Sequence, residues 1–343
     1  LKILALPFLF MVLFNNGPEF LMNKDVIPFI WNKIVIPVTT IVPVGSIFLS
    51  LIISYGLMEF VGVFMRPVMK PIWKTPGRSA IDAVASFVGS YSLALLITNR
   101  VYKEGKYTTK EAVIIATGFS TVSATFMVIV AKTLDLMDSW NLYFWLTVIV
   151  TFLVTAITAR IYPIRNKSDA YFENQEGDIE KDIPKDKFKV AFNEGMEVCA
   201  NSGSILENVI INLKDGVMLA FNIGPSLMAV GTLGIVLANH TPIFDWIGYL
   251  VYPFTLISGF EEPLLTAKAL ALGIAEMFLP AVLVTKLSFE VKMLVAITCV
   301  SEVLFFSASI PCMMATDIPI SFKDYLIIWF ERVVLSILVS IPL

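Results

Sequence analysis

Charge is scarce in this sequence. Only 15% of its 343 residues are Asp, Glu, Lys or Arg, while 57% are hydrophobic; a soluble domain carries roughly a quarter charged residues. With a mean hydropathy of +0.80, this shortage excludes an ordinary soluble domain and marks an integral membrane protein whose constant partner is the lipid bilayer. Histidine occurs once, at His240, which argues against a His-built metal site and against Ser–His chemistry. The three cysteines, Cys199, Cys299 and Cys312, have no metal-ligand spacing and read as buried reduced thiols. Phosphate-loop, HExxH, CxxC and GxSxG patterns are all missing. No enzyme, cofactor or structural metal is expected. Lys and Arg sit in short loops beside apolar runs, so no nucleic-acid footprint is formed.

What is present is a set of apolar runs. Residues 34–58, 112–131, 139–159 and 216–244 carry no charge beyond an end residue or are charge-free, and each is long enough to cross a bilayer, which takes about 20 residues. The closing run, 325–343, holds only Glu331 and Arg332. Residues 1–34 read as an N-terminal segment, a truncated first span plus an outer loop. Spans of this length favour helices over a barrel, whose strands need about ten residues each.

One stretch breaks the pattern. Residues 165–189 are densely charged and are expected in water, dividing the chain into halves. Beyond it Phe188, Phe192, Cys199, Leu206, Val209 and Leu213 share one helical face. An amphipathic helix on the membrane surface is expected there, interrupted at Asn201-Ser202-Gly203-Ser204. The organisation follows: a first repeat over 35–164, a charged loop with surface helix over 165–215, and a second repeat over 216–343.

The halves align. Glu59 to Pro67 matches Asp245 to Pro253 at an offset of 186, and Ser120-Thr121-Val122 matches Ser301-Glu302-Val303 at an offset of 181. Positive charge sets their orientation. The loop around Arg66, Lys70, Lys74 and Arg78 is basic, whereas its counterpart at 251–267 has only Glu261 and Glu262; cytoplasmic loops collect Lys and Arg. The repeats are therefore expected to be inverted, with loop 165–189 cytoplasmic. Two consecutive basic loops flank residues 79–101, which fits a segment that enters the membrane, turns at Gly89-Ser90-Tyr91-Ser92 and returns. A matching hairpin is expected over 267–285. Asp82, close to Arg78, is expected near the membrane surface, and Trp31, Trp73, Trp140, Trp246 and Trp329 read as an interfacial belt.

The fold class predicted is all-α integral membrane, with inverted repeats, two re-entrant hairpins and two broken transmembrane helices. Paired breaks in corresponding positions point to a transporter's binding site. Gly89, Ser90 and Ser92 form the first break; Gly118, Ser120, Thr121 and Ser123 form the one facing it. Their hydroxyl and carbonyl oxygens suit Na⁺, with Ser90, Ser120 and Thr121 its nearest donors, or the hydroxyls of a polar solute. In the second half Glu276 and Glu302, with Ser301, lie inside apolar runs; an ionisable group within the membrane is by default a functional candidate. Small residues at such places also serve close helix packing.

The segment DAVASFVGSYSLALL, continued through ATGFSTVSATF, resembles the Gate or nucleoside recognition domain, most closely that of the YjiH-like bacterial membrane proteins. Spore maturation membrane proteins, the membrane part of ferrous-iron transporters and, distantly, concentrative nucleoside transporters share it. The resemblance implies a bacterial inner-membrane protein with two hairpins and two unwound helices meeting midway. It implies that Gly89 to Ser92 and Gly118 to Ser123 contact a nucleobase-like part and Na⁺, and that Glu276 with Ser301 and Glu302 contacts a ribose-like part. The first half lacks the acidic residues that nucleoside transporters carry at its breaks, which sets nucleoside itself apart from the general expectation. The function expected is transport of a small polar solute, coupled to Na⁺ or H⁺. A non-transporting scaffold or assembly subunit and a channel are the alternatives; a homo-oligomer or a second membrane subunit stays open.

Overall fold

The computed structural model describes residues 2–24, 26–178, 180 and 186–341. Helices account for almost all of its regular structure. Short N-terminal helices α1 (Ala5–Phe14), α2 (Glu19–Met22) and α3 (Ile27–Phe29) lead into α4 (Ile36–Ser54) and α5 (Leu57–Trp73). Then follow α6 (Ala80–Val88), α7 (Tyr91–Lys103), α8 (Thr109–Gly118), α9 (Ala124–Thr133) and α10 (Trp140–Thr158). The linker ends in α11 (Lys187–Asn201). The remaining helices are α12 (Ile205–Ser226), α13 (Thr232–His240), α14 (Ile243–Ile257), α15 (Pro263–Leu272), α16 (Leu279–Leu283), α17 (Phe289–Ser301), α18 (Ser309–Met314) and α19 (Phe322–Ser340). Among the described residues, the stretches Glu19–Ile47, Met137–Thr158 and Ile205–Leu237 are long and apolar enough to cross a membrane.

Helix starts are set by local chemistry. Ser90, Ser123 and Ser204 accept a backbone N–H at the first turns of α7, α9 and α12. Thr108 with Glu111, and Ser321 with Asp324, close reciprocal capping boxes on α8 and α19. Such caps satisfy N–H groups that the helix itself leaves without partners. Between α4 and α5 the turn requires glycine: Gly56 has φ +77, and a Cβ there would lie 2.1 Å from Gly195 O of α11.

The two halves run through the same element order. Each has a long helix (α4; α12–α13), a shorter one (α5; α14), a first broken helix (α6/α7; α15/α16), a second broken helix (α8/α9; α17/α18) and a closing helix of 19 residues (α10; α19). Corresponding elements also touch: α4 packs along α12, and α10 along α19. The core lies where the broken helices meet these closing helices, and α8, α17 and α18 are almost wholly buried.

Two expectations from the sequence need correction. The amphipathic pattern over 188–213 belongs to two elements: α11 stops at Asn201, as the Asn-Ser-Gly-Ser interruption predicts, but Leu206, Val209 and Leu213 open α12, a helix that continues to Ser226 and on through α13. Asp82 is fully buried, its carboxylate accepting from Thr98 Oγ1 at 2.6 Å and Tyr107 Oη at 2.7 Å. Its hydroxyl partners, rather than proximity to water, satisfy it.

The first part of the charged linker, with none of residues 165–178 buried, lies along the protein as a strap. Thr109 N donates to Ala170 O and Lys110 N to Ser168 O, at 2.8 and 2.9 Å, and Asp178 N donates to Gly105 O at 3.0 Å. The strap ends on Glu180, a carboxylate only 8% exposed. It accepts from Gly77 N at 2.9 Å, Arg78 N at 3.1 Å and Arg66 Nε at 3.2 Å. Burial works against the Arg78 charge, but Asp178 and Glu180 outweigh it and push the guanidinium pKa up.

Candidate functional site

Each of the four broken helices is interrupted where the sequence places small or polar residues. Between α6 and α7, Ser90 is extended (φ −163, ψ 158), and its hydroxyl lies 2.9 Å from that of Ser92 and 3.3 Å from Leu93 N, which donates to it. Between α8 and α9, residues 119–123 are unwound; Ser86 Oγ donates to Thr121 O, and Thr121 Oγ1 donates across the halves to Val300 O at 3.3 Å. Between α15 and α16, the Glu276 carboxylate accepts from Phe278 N at 2.7 Å and Leu279 N at 3.2 Å, capping α16. Between α17 and α18, the chain turns at Val303, whose φ of +60 is rare for a β-branched residue. Strain of this kind costs about 1–3 kcal/mol and concentrates at functional sites.

The second broken helices of the halves end alike. After α8, Thr121 N donates to Phe119 O at 2.8 Å; after α17, Leu304 N donates to Glu302 O at 2.6 Å. Both are three-residue γ-type turns. The last carbonyl of each helix then meets the closing helix of its own half. Thr155 Oγ1 of α10 lies 3.1 Å from Gly118 O, and Arg332 Nε of α19 donates to Ser301 O at 2.7 Å. Arg332 Nη1 also donates to Thr155 Oγ1 at 3.1 Å, so one buried bridge joins both helix ends.

The breaks surround a cavity of about 460 Å³. Ser90, Ser123 and Glu276 supply its polar groups, and aromatic pairs from opposite halves supply two of its walls. Tyr91 meets Phe305 edge to face at 5.9 Å between ring centroids, and Phe126 meets Phe278 at 6.2 Å. A hollow of this size, apolar with a few convergent polar groups, has the character of a small-molecule site.

Not every residue expected at a shared site reaches it. Gly89 borders a separate apolar hollow beside α5. Ser92 is buried behind Ser90. Gly118 is pressed against Thr155, where a Cβ would come within 2.2 Å of Cγ2. Ser120 and Thr121 are buried outside the lining, and Ser120 Oγ has no hydrogen-bond partner among the described residues. Ser301 Oγ lies 2.6 Å from Ser336 Oγ. Glu302 accepts from Trp329 Nε1 at 3.0 Å and sits over Gly273, away from the cavity.

Arg332 and Trp329 are the functional candidates that sequence reasoning passed over. Trp329 is 2% exposed and binds Glu302, so it is no part of an interfacial belt. The signal for Arg332 was an unexplained guanidinium in the middle of an apolar run, which deserved the same default reading as Glu276. Among the described residues, no group of His, Cys, Asp and Glu is arranged to hold a metal ion.

Comparison with known proteins bears on these features. The family described as Gate, nucleoside recognition, matches residues 35–137, the first repeat through α9. An uncharacterized protein of Alkalihalophilus pseudofirmus (strain ATCC BAA-2126 / JCM 17055 / OF4) is 32% identical over 334 residues, covering 96% of this chain and 72% of that protein. Among solved structures, CNTnw in an inward-facing substrate-bound state superposes with a TM-score of 0.47 at 12% identity, over 99% of this chain and 85% of that one. A doubly substituted CNTnw in an outward-facing state gives 0.45 at 13% identity, over 99% and 86%. By its similarity along nearly its whole length, this multi-pass membrane protein belongs to the same family as the Alkalihalophilus pseudofirmus protein, and it carries the Gate, nucleoside recognition, domain.

Proposed function

We propose that the protein is a secondary transporter that carries a small polar solute through the cavity at the helix breaks, in a YjiH-like branch of Gate-domain proteins. The observation that carries this reading is the cavity itself: all four breaks contribute to it, two from each half. Helix ends at such breaks present partial charges and free backbone groups to an occupant. Glu276 is placed to accept N–H or O–H groups of the solute, Ser90 and Ser123 to bond its remaining polar atoms, and the two aromatic pairs to enclose a flat ring. A nucleoside-like metabolite fits that description.

The repeats are then inverted, the α6/α7 and α15/α16 units are re-entrant hairpins, and rocking of one half against the other exposes the site to each side in turn. Na⁺ or H⁺ supplies the coupling. For Na⁺, the oxygens of Ser90, Ser120 and Thr121 are the donors to test; for H⁺, Glu276 and Glu302. Ser123 belongs to the lining, and Ser92, Gly118 and Ser301 support the lining residues from behind, with Gly89 as a hinge. The strap lies on the cytoplasmic side of a bacterial inner membrane, by the rule that places Lys and Arg inside.

The test is a thermal-shift screen of the purified protein with nucleosides, nucleobases, amino acids and Na⁺, followed by uptake into proteoliposomes. A ligand that binds only the folded state raises its melting temperature. A hit that is lost in Glu276→Gln and in Ser123→Ala supports the site. A hit that both variants retain, or a cavity that binds no polar solute in the panel, overturns it.

A further inference from the structure

A second cavity, of about 530 Å³, opens between the first turn of α5, the end of α7, the strap and the α11–α12 junction. It shares no lining residue with the cavity at the breaks. Its wall carries six carboxylates against three cationic side chains. Each of those cations makes at least one ion pair, while Arg100 Nη1 is buried without a hydrogen-bond partner among the described residues. Arg78 pairs with Asp178 at 2.9 Å and Glu180 at 3.4 Å, Lys106 with Glu59 at 3.0 Å and Glu104 at 3.5 Å, and Arg100 with Glu104 at 2.9 Å.

Two acids are left with unused capacity. Glu59 is 8% exposed, and its Oε2 has no hydrogen-bond partner among the described residues. A buried carboxylate oxygen without a donor is costly, and an ionised donor satisfies it best. Glu197 lines the same wall, is exposed, and makes no ion pair among the described residues. Among the described residues the carboxylates do not converge as a metal-ligand set, which a hard divalent cation would need. The missing partner of Glu59 Oε2 is therefore a donor of N–H bonds that also carries positive charge.

We propose that this cavity binds a small organic cation with a primary ammonium group, which donates to Glu59 Oε2 while Glu197 and its neighbours hold the charge. The site is distinct from the one at the helix breaks. Because its walls include Asp178 and Glu180, an occupant also fastens the strap against α5 and α7.

The test uses the purified full chain in detergent, with 1,4-diaminobutane and spermidine as probes and with MgCl₂ and NaCl at matched ionic strength. Either amine is expected to raise the melting temperature in a saturable way, beyond both salts. Glu59→Gln is expected to abolish the rise. Glu197→Gln, at an exposed position with no ion pair to lose, is expected to weaken the apparent affinity about threefold, the effect of one partly exposed charge. The proposal is overturned if neither amine acts, if Mg²⁺ or NaCl does as well, or if Glu59→Gln responds like the parent. Should Glu59→Gln fail to fold, an undiminished amine affinity in Glu197→Gln overturns it equally.

Discussion

The breaks of the first half and those of the second differ in how they are held. In the first half hydroxyls do the work: Ser86 on Thr121 O, Ser90 on Ser92, Thr155 beside Gly118 O. In the second half the breaks are tied more heavily. Phe306 N and Ser307 N donate to Ile274 O and Ala275 O at 2.6 and 2.9 Å, so the two unwound segments bond backbone to backbone. Glu276 caps α16, Trp329 holds Glu302, and Arg332 holds Ser301 O. Both halves place a γ-type turn beside the closing helix, though the turn at Val303 has φ +60 and the one at Ser120 does not have positive φ. They do not share a chemistry. Neutral hydrogen bonds of the first kind contribute about 1 kcal/mol each, and bonds to charged groups more. The first half is thus the softer of the two, and on the transport reading it is the part that yields when the site opens.

Substitutions can break this contrast. The largest effect is expected at Arg332. Arg332→Ala removes the charged donor to the buried Ser301 O and Thr155 Oγ1, which costs about 1.5–3 kcal/mol, whereas Thr155→Ala costs about 1 kcal/mol. Thermal unfolding in detergent measures both, and equal losses would show that the halves are equally tied. Next come the glycines under the caps. Gly118→Ala would place a Cβ 2.2 Å from Thr155 Cγ2, and Gly273→Ala one 2.4 Å from the Glu302 carboxylate. Overpacking of this sort costs about 1–3 kcal/mol, and Gly273→Ala should be the worse of the two, since Glu302 is the more firmly held neighbour.

Glu276→Gln separates capping from function. Glutamine keeps an acceptor oxygen for Phe278 N, so stability should fall by at most about 1 kcal/mol, the worth of a charge at a helix N-terminus. Solute affinity in the thermal-shift assay should fall at least about tenfold, equivalent to about 1.4 kcal/mol. A large stability loss with affinity intact would make Glu276 a structural cap only.

The smallest effect concerns the starts of the closing helices. Asp324 caps α19, whereas α10 begins at Trp140 without a side-chain cap. Burial alone would raise the Asp324 pKa, but Ser321 and Lys167, whose Nζ is 2.7 Å away, outweigh it and hold it below the usual carboxylate value. A depressed pKa stabilises the fold above the unfolded value of about 3.9, and that stability is lost as pH falls through the lower folded value. Asp324→Asn should flatten the acid limb of the stability–pH curve, by about 0.5–1 kcal/mol. No matching change is expected from any substitution at Ser139.

The places of the breaks were legible because Gly and Ser interrupt apolar runs at Gly89-Ser90 and Gly118 to Ser123, and Glu276 stands out wherever a membrane segment is assumed. What holds the breaks was not legible. Trp329 looks interfacial and Arg332 has no visible partner until α19 packs beside α17, and the bridge from Arg332 to Thr155 spans 177 positions. The 188–213 pattern misled because one apolar face is common to a surface helix and to the beginning of a spanning one.

The meeting of the two halves at one hollow is tested most directly by cross-linking. With Cys199, Cys299 and Cys312 replaced, Phe126→Cys and Phe278→Cys, whose native rings lie 6.2 Å apart, would be treated in membranes with a short bifunctional thiol reagent. The account predicts an intramolecular link that forms between these positions and is slowed by the transported solute. Labelling of both cysteines with no link between them would contradict it.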